Sequence, residues 1–147
     1  MIEQVEIAGK HYAVIIKAAF CKPGVHFCTP DDFSQQLAYM NRPAGYTIPP
    51  HVHNPVKRDV QLTLEVLFIK KGRLRVDFYN DSREYLESRE LCPGDTILLS
   101  GGGHGFAALE DLEMIEVKQG PYAGDQDKTR FVGISAEQVV VKGPVNE

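Results

Sequence analysis

The sequence predicts a single all-β domain, and three observations carry that prediction. Short runs rich in β-branched and aromatic residues recur at roughly 8 to 12 residue intervals. Glycine, proline and Asx turns close them. Little of the chain sustains a helical period. Such a pattern implies a sandwich or barrel. With 147 residues, one domain spanning 1–147 is the economical reading, and a chain of this size buries about two thirds of its unfolded surface.

In order along the chain, HYAVII at 11–16 is the first strand expected. DDFSQQLAYM sets Phe33, Leu37 and Met40 at helical spacing, but QLAYMN also alternates, and a strand from about Gln35 is the preferred reading. LTLEVLFI at 62–69 is apolar on both faces, Val66 and Phe68 pointing one way and Leu67 and Ile69 the other. A strand of that kind is covered on two sides. For a small barrel the expected second cover is another subunit, which predicts a homodimer.

Gly72, inside the basic stretch KKGRLR, reads as a hairpin turn into LRVDFY at 74–79, which YND ends. CPGD at 92–95 turns the chain into DTILLS at 95–100. GFAAL at 105–109, the LED break and MIEVK at 114–118 follow. The tail from Ile134 is expected to make a turn of helix capped by Ser135, then an edge strand, then a mobile end.

Charge and cysteine content narrow the partners and the compartment. Sixteen basic and twenty acidic side chains give a net charge of -4 and are interleaved throughout. A nucleic-acid partner is therefore not expected, because such binders concentrate Lys and Arg against phosphates. Cys21, Cys28 and Cys92 cannot all pair within the chain, and none sits in a CxxC arrangement. A reducing, cytoplasmic setting fits this. The longest apolar run near the N-terminus, AVII, is too short for a signal core or a membrane span.

The chemistry-bearing residues begin at GYTIPPHVHN, 45–54. Residues two apart in an extended segment share a face, so His51 and His53 project side by side and can chelate one ion. Pro49 and Pro50 restrict the backbone that leads into them. Glu65 shares parity with Leu67 and Ile69, which puts a carboxylate at the start of a core-facing row. A buried carboxylate needs a cation or a hydrogen-bonding network. Further on, three glycines precede His104, and glycine lets the backbone approach a site closely.

These residues resemble the motifs of the cupin superfamily. Gly45, five residues, then His51 and His53, with Glu65, six residues and Gly72 later, are similar to the first motif. PGD at 93–95 followed by His104 is similar to the second. The resemblance covers about residues 35–120, the barrel core, with strand 11–16 and tail 131–147 packing on it or extending from it. It departs from the pattern in the eleven residues 54–64 that separate His53 from Glu65, where the family has a much shorter connection. Asp59 or Gln61 are alternatives to Glu65 in that segment. Ser100 stands where a proline is common, and Ala108 where an asparagine is usual.

The resemblance implies a double-stranded β-helix, the jelly-roll barrel, in which His51, His53, Glu65 and His104 hold one divalent transition metal. Three imidazoles and a carboxylate suit Fe, Mn, Ni, Co, Cu or Zn and leave positions for water or substrate. It further implies a Lewis-acid enzyme acting on a small polar molecule, with a sugar or sugar-nucleotide isomerase or epimerase as one form. An Fe(II)-dependent dioxygenase and a non-catalytic binding protein are its alternatives. Tyr39, Arg42, Lys118 and Tyr122 are candidate substrate-binding residues, Arg42 and Lys118 as an anion clamp. His11 and His26 lie outside the motifs and are expected to be solvated or locally hydrogen-bonded.

Overall fold

The computed structural model describes residues 1–143. Ten strands follow one another: β1 (Ile2–Ile7), β2 (Lys10–Ile16), β3 (Gly24–Phe27), β4 (Ala38–Asn41), β5 (Glu65–Lys71), β6 (Leu74–Tyr79), β7 (Tyr85–Leu91), β8 (Thr96–Leu99), β9 (Gly103–Ala108) and β10 (Glu113–Lys118). Two short 3-10 turns, Gly124–Asp127 and Ala136–Gln138, come after them. Among the described residues, no helix is long and apolar enough to cross a membrane.

The strands form a five-stranded sheet in the order β1-β2-β8-β5-β10, a three-stranded sheet β7-β6-β9 and the hairpin β3-β4. All strand pairings within them are antiparallel. The core lies between the two larger sheets. Ile15, Leu67, Ile69 and Ile97 enter it from the first, and Leu74, Val76, Phe78 and Leu91 from the second. Each such side chain contributes about 1.5–3 kcal/mol by leaving water. The protein is thus an all-β antiparallel fold as predicted. No hydrogen-bonded closure joins its sheets into a barrel among the described residues.

Each strand expected from periodicity is present, with ends shifted by a few residues. The strand expected from Leu62 begins only at Glu65. In the tail, the helical turn follows Ser135, whose hydroxyl bonds the Gln138 side chain instead of capping the backbone. The edge-strand expectation reduces to a parallel bridge between Val141 and Ser88, and the mobile-end expectation falls on residues outside those described.

Gly72 is a correction. β5 pairs with β8 and β10, while β6 pairs with β7 and β9, so the turn between β5 and β6 carries the chain from one sheet to the other instead of closing a hairpin. Gly72 has φ +77°, and a Cβ built on it would lie 2.2 Å from the Asp111 carbonyl oxygen. Only glycine fits there without moving backbone.

The outward face of β5 agrees with the two-sided pattern only in part. Leu67 and Ile69 are buried, whereas Phe68 is 41% exposed beside Ile115 and Val117 of β10. Gly72→Ala should lower stability by about 2–4 kcal/mol through combined strain and overlap. Gly143→Ala, where the added Cβ meets nothing within 4 Å, should leave stability unchanged. Urea midpoints at constant m compare the two.

Candidate functional site

β5 and β9 bring two of the sequence-predicted residues together across the sheets. Glu65, the first residue of β5, points to the core side of the five-stranded sheet and is 9% exposed. His104, the second residue of β9, belongs to the three-stranded sheet. Its Nε2 stands 3.2 Å from Glu65 Oε2. Gly102, just before β9, takes φ +63°, and a Cβ there would overlap Tyr12 and the Tyr79 carbonyl. The glycine run therefore does what its composition suggested, letting the chain enter β9 against two packed tyrosines.

Lys118 completes the cluster from β10. It lies opposite Glu65 in strand register, with Nζ 3.9 Å from Glu65 Oε1 and 2.9 Å from Glu116 Oε1. The hydrogen bond from His104 holds the Glu65 carboxyl below its usual range. Burial opposes that shift, and the charges of His104, Lys118 and Lys128 reinforce it. The Glu116 hydrogen bond raises Lys118, helped by Glu65 and Asp127. Glu65 is ionised at neutral pH, and an ionised carboxylate only accepts. His104 Nε2 therefore carries the proton and donates it.

His51 and His53 occupy a different place, on the exposed loop between β4 and β5. Their rings are 5.2 Å apart, and His51 Nδ1 bonds the Pro49 carbonyl at 3.0 Å. That bond fixes the tautomer and leaves Nε2 as an acceptor, an arrangement common among metal-ligating histidines. The 3.2 Å between Glu65 and His104 donors also matches one edge of a coordination shell, since two donors about 2.1 Å from one ion lie about 3.0–3.4 Å apart. Each pair fits half of the implied ligand set. The halves do not meet, and no group of three or more His, Cys, Asp or Glu able to hold a metal forms among the described residues. Asp59 and Gln61 bond each other at 2.7 Å and offer no substitute for Glu65.

Beside Lys118 a cavity of about 550 Å³ opens. Residues 58–63 form one wall and 119–130 the other, so the insertion noted in the sequence shapes the cavity. Of the candidate substrate residues, Lys118 and Tyr122 line it. Tyr39 instead packs edge-on against Phe20, and Arg42 sits 4.4 Å over the Tyr46 ring. Sequence reasoning missed Arg58, Lys128 and Arg130, which also face the cavity. No motif marks them, and only the folding-back of 119–130 brings them to residues 58–63.

The remaining polar motif residues serve the fold. Asp95 of the PGD turn is 2% exposed and accepts from Lys17, from the Ala18 N–H and from the Cys92 N–H. His26 bonds the Pro23 carbonyl, the local bonding expected of it, whereas His11 bonds Gln4 and, far away in the sequence, the Ser100 hydroxyl. The three cysteines are free.

A carboxyl whose folded pKa is depressed contributes stability that is present above its unfolded pKa and lost as pH falls through the folded value. Against Glu65→Gln, the native protein should be more stable at pH 7 by about 1–3 kcal/mol, a gap that closes as pH falls below the ordinary glutamate value of 4.5. Denaturation midpoints at pH 7, 5 and 3 measure it. No family model matches this chain, and no curated protein or solved structure matches it either.

Proposed function

We propose that the chain is a metal-dependent cupin that binds a small polar molecule at the open end between its two sheets and acts on it. The double-stranded β-helix implied by the motifs is part of this reading. One observation carries it: Glu65 and His104, donors of the implied shell, meet at 3.2 Å from facing sheets, next to a lysine that reaches the cavity. The ion would be held by Glu65 and His104, with His51 and His53 the donors left to complete its shell. When bound it would supply Lewis acidity, polarising a carbonyl or acidifying a water.

The chain's own residues supply the rest. Lys118 offsets the Glu65 charge at the edge of the cavity. In the metal-free chain Glu65 orients the His104 ring through the Nε2 proton, and that proton would leave when an ion takes the same lone pair. A sugar or sugar-nucleotide with a carbonyl and neighbouring hydroxyls is a substrate class this arrangement can serve, in an isomerase or epimerase reaction.

A second reading has its own observation. Glu65 is satisfied by His104 and Lys118 alone, so the cluster is also consistent with a metal-free binding protein. Elemental analysis separates the two. Protein purified without an affinity tag should carry one transition metal per chain, and His53→Ala, His104→Ala and Glu65→Gln should each lose it while keeping a β-type circular dichroism spectrum. A metal-free native protein would leave the binding reading.

A cytoplasmic homodimer belongs to the same proposal, the second copy covering Phe68, Ile115 and Val117, which are exposed side by side. Phe68→Asp should then turn a dimer into a monomer in sedimentation equilibrium. A native protein that sediments as a monomer at high concentration would reject it.

A further inference from the structure

We infer that the cavity beside Lys118 is an anion site whose clamp is Arg58 and Lys128, and that it takes the phosphate monoester of a small polyhydroxylated molecule. The inference shares with the reading above only the cavity as the ligand's seat. It needs neither the metal nor the His104–Glu65 pair.

Charge is the first argument. Four cations line the cavity, Arg58, Lys118, Lys128 and Arg130, against two acids, Asp125 and Asp127. That local surplus stands in a chain of net charge -4. Both acids are already engaged, Asp125 by Arg130 at 3.7 Å and Asp127 by the Thr63 hydroxyl. Lys118 is committed to Glu116 and Glu65. Among the described residues, Arg58 and Lys128 make no ion pair, yet both face one cavity. Arg58 and Lys128 put positive charge on the two walls of the cavity, and an anion seated between the walls is attracted by both. A guanidinium and an ammonium are also the usual pair for phosphate oxygens, one planar and bidentate, the other a point charge.

Size and lining decide what the phosphate is attached to. A cavity of about 550 Å³ is far larger than a phosphate ion, and lies in the range of sites for small organic ligands. Gln61 and Gln119 line it. Gln61 uses its Nε2 on Asp59, which leaves its Oε1 for a hydroxyl donor. Gln119 accepts a Ser34 hydroxyl at 3.5 Å through Oε1, which leaves its amide N–H groups for a hydroxyl acceptor. Tyr122, 92% exposed and lining the same cavity, supplies an aromatic ring on which the C–H side of a sugar ring can stack. Lys118 both lines the cavity and lies 3.9 Å from Glu65 Oε1, so its charge offsets that carboxylate beside the seat.

Isothermal titration with glucose 1-phosphate, inorganic phosphate and glucose tests the inference on the full chain. Glucose 1-phosphate should bind at submillimolar Kd and weaken as salt is raised. Lys128→Gln should weaken it about tenfold and the Arg58→Gln, Lys128→Gln double variant further. The exposed Lys22→Gln, remote from the cavity lining, should bind as the native chain does. Failure of the native protein to bind the ester at millimolar concentration would overturn the site, as would a double variant that binds unchanged or glucose that binds as tightly as its phosphate. Inorganic phosphate binding as tightly as the ester would overturn the polyhydroxylated part. Metal content measured on the same samples keeps the two proposals apart: a metal-free chain that still binds the ester defeats only the metal, and a metal-loaded chain that ignores the ester defeats only the anion site.

Discussion

A carboxylate on the core side of β5 is the constraint around which the open end of this fold is arranged. Glu65 begins a row that continues with Leu67 and Ile69, both fully buried. An ionised group there, left without partners, would cost several kcal/mol. Two strands answer it. β9, from the opposite sheet, provides the His104 hydrogen bond, and β10, the next strand in the same sheet, provides the Lys118 charge in register. One acid thereby links both sheets, and of its two partners Lys118 also lines the cavity.

Burial of charge recurs on the three-stranded sheet, where it works differently. Asp77 accepts from Arg75 Nε and Nη2 and from the Ser88 hydroxyl. Glu87 is shared between Arg89 and Lys142, and Arg89 also reaches Glu3 on β1. Burial would raise the Glu87 carboxyl, but hydrogen bonds from Lys142 and Arg89 outweigh it and leave it lowered. These ions are covered because the tail from Val139 lies beside β7, its backbone bonding Ser88 on both sides. Such networks add little net stability against an apolar alternative. Breaking one partner leaves a buried charge, so they hold the tail in a single register.

That network explains which parts of the fold the sequence concealed. Strands with an apolar face, HYAVII, LRVDFY and TILL, were legible because burial by hydrophobic contact leaves a period of two. YLESREL, β7, was not, since three of its buried residues are Glu87, Ser88 and Arg89 and look like a solvated surface. β1 was missed for another reason: it is an edge strand with Gln4 and Glu6 exposed and only Val5 fully buried, so little apolar alternation marks it. Of the site, Glu65 could be found by its wrong parity for a charge and His104 by the glycines before it. His51 and His53 were legible as a pair but not as partners of Glu65, because the loop that carries them imposes no ladder register. Of the cavity's cations Lys118 was a candidate, whereas Arg58 and Lys128 left no local signal: they are seventy residues apart and come to one cavity only through tertiary structure.

The insertion between His53 and Glu65 is where these threads join. In a barrel with a tight connection the histidine pair would follow directly into the next strand and its position would be dictated by the ladder. Here residues 54–64 run through the open, and their second half turns back so that Arg58, Val60 and Thr63 line a cavity with 119–130. The Gln119 N–H bonds the Leu64 carbonyl and the Thr63 hydroxyl bonds Asp127, so the wall is tied to the sheet at its base. A long connection thus forms a cavity wall where a short one would have fixed the histidine pair in the ladder, and it brings Arg58 to the same cavity as Lys118 and Lys128. On the proposed reading, recognition of a ligand's charged end by these cations would be separable from any role of Glu65 and His104.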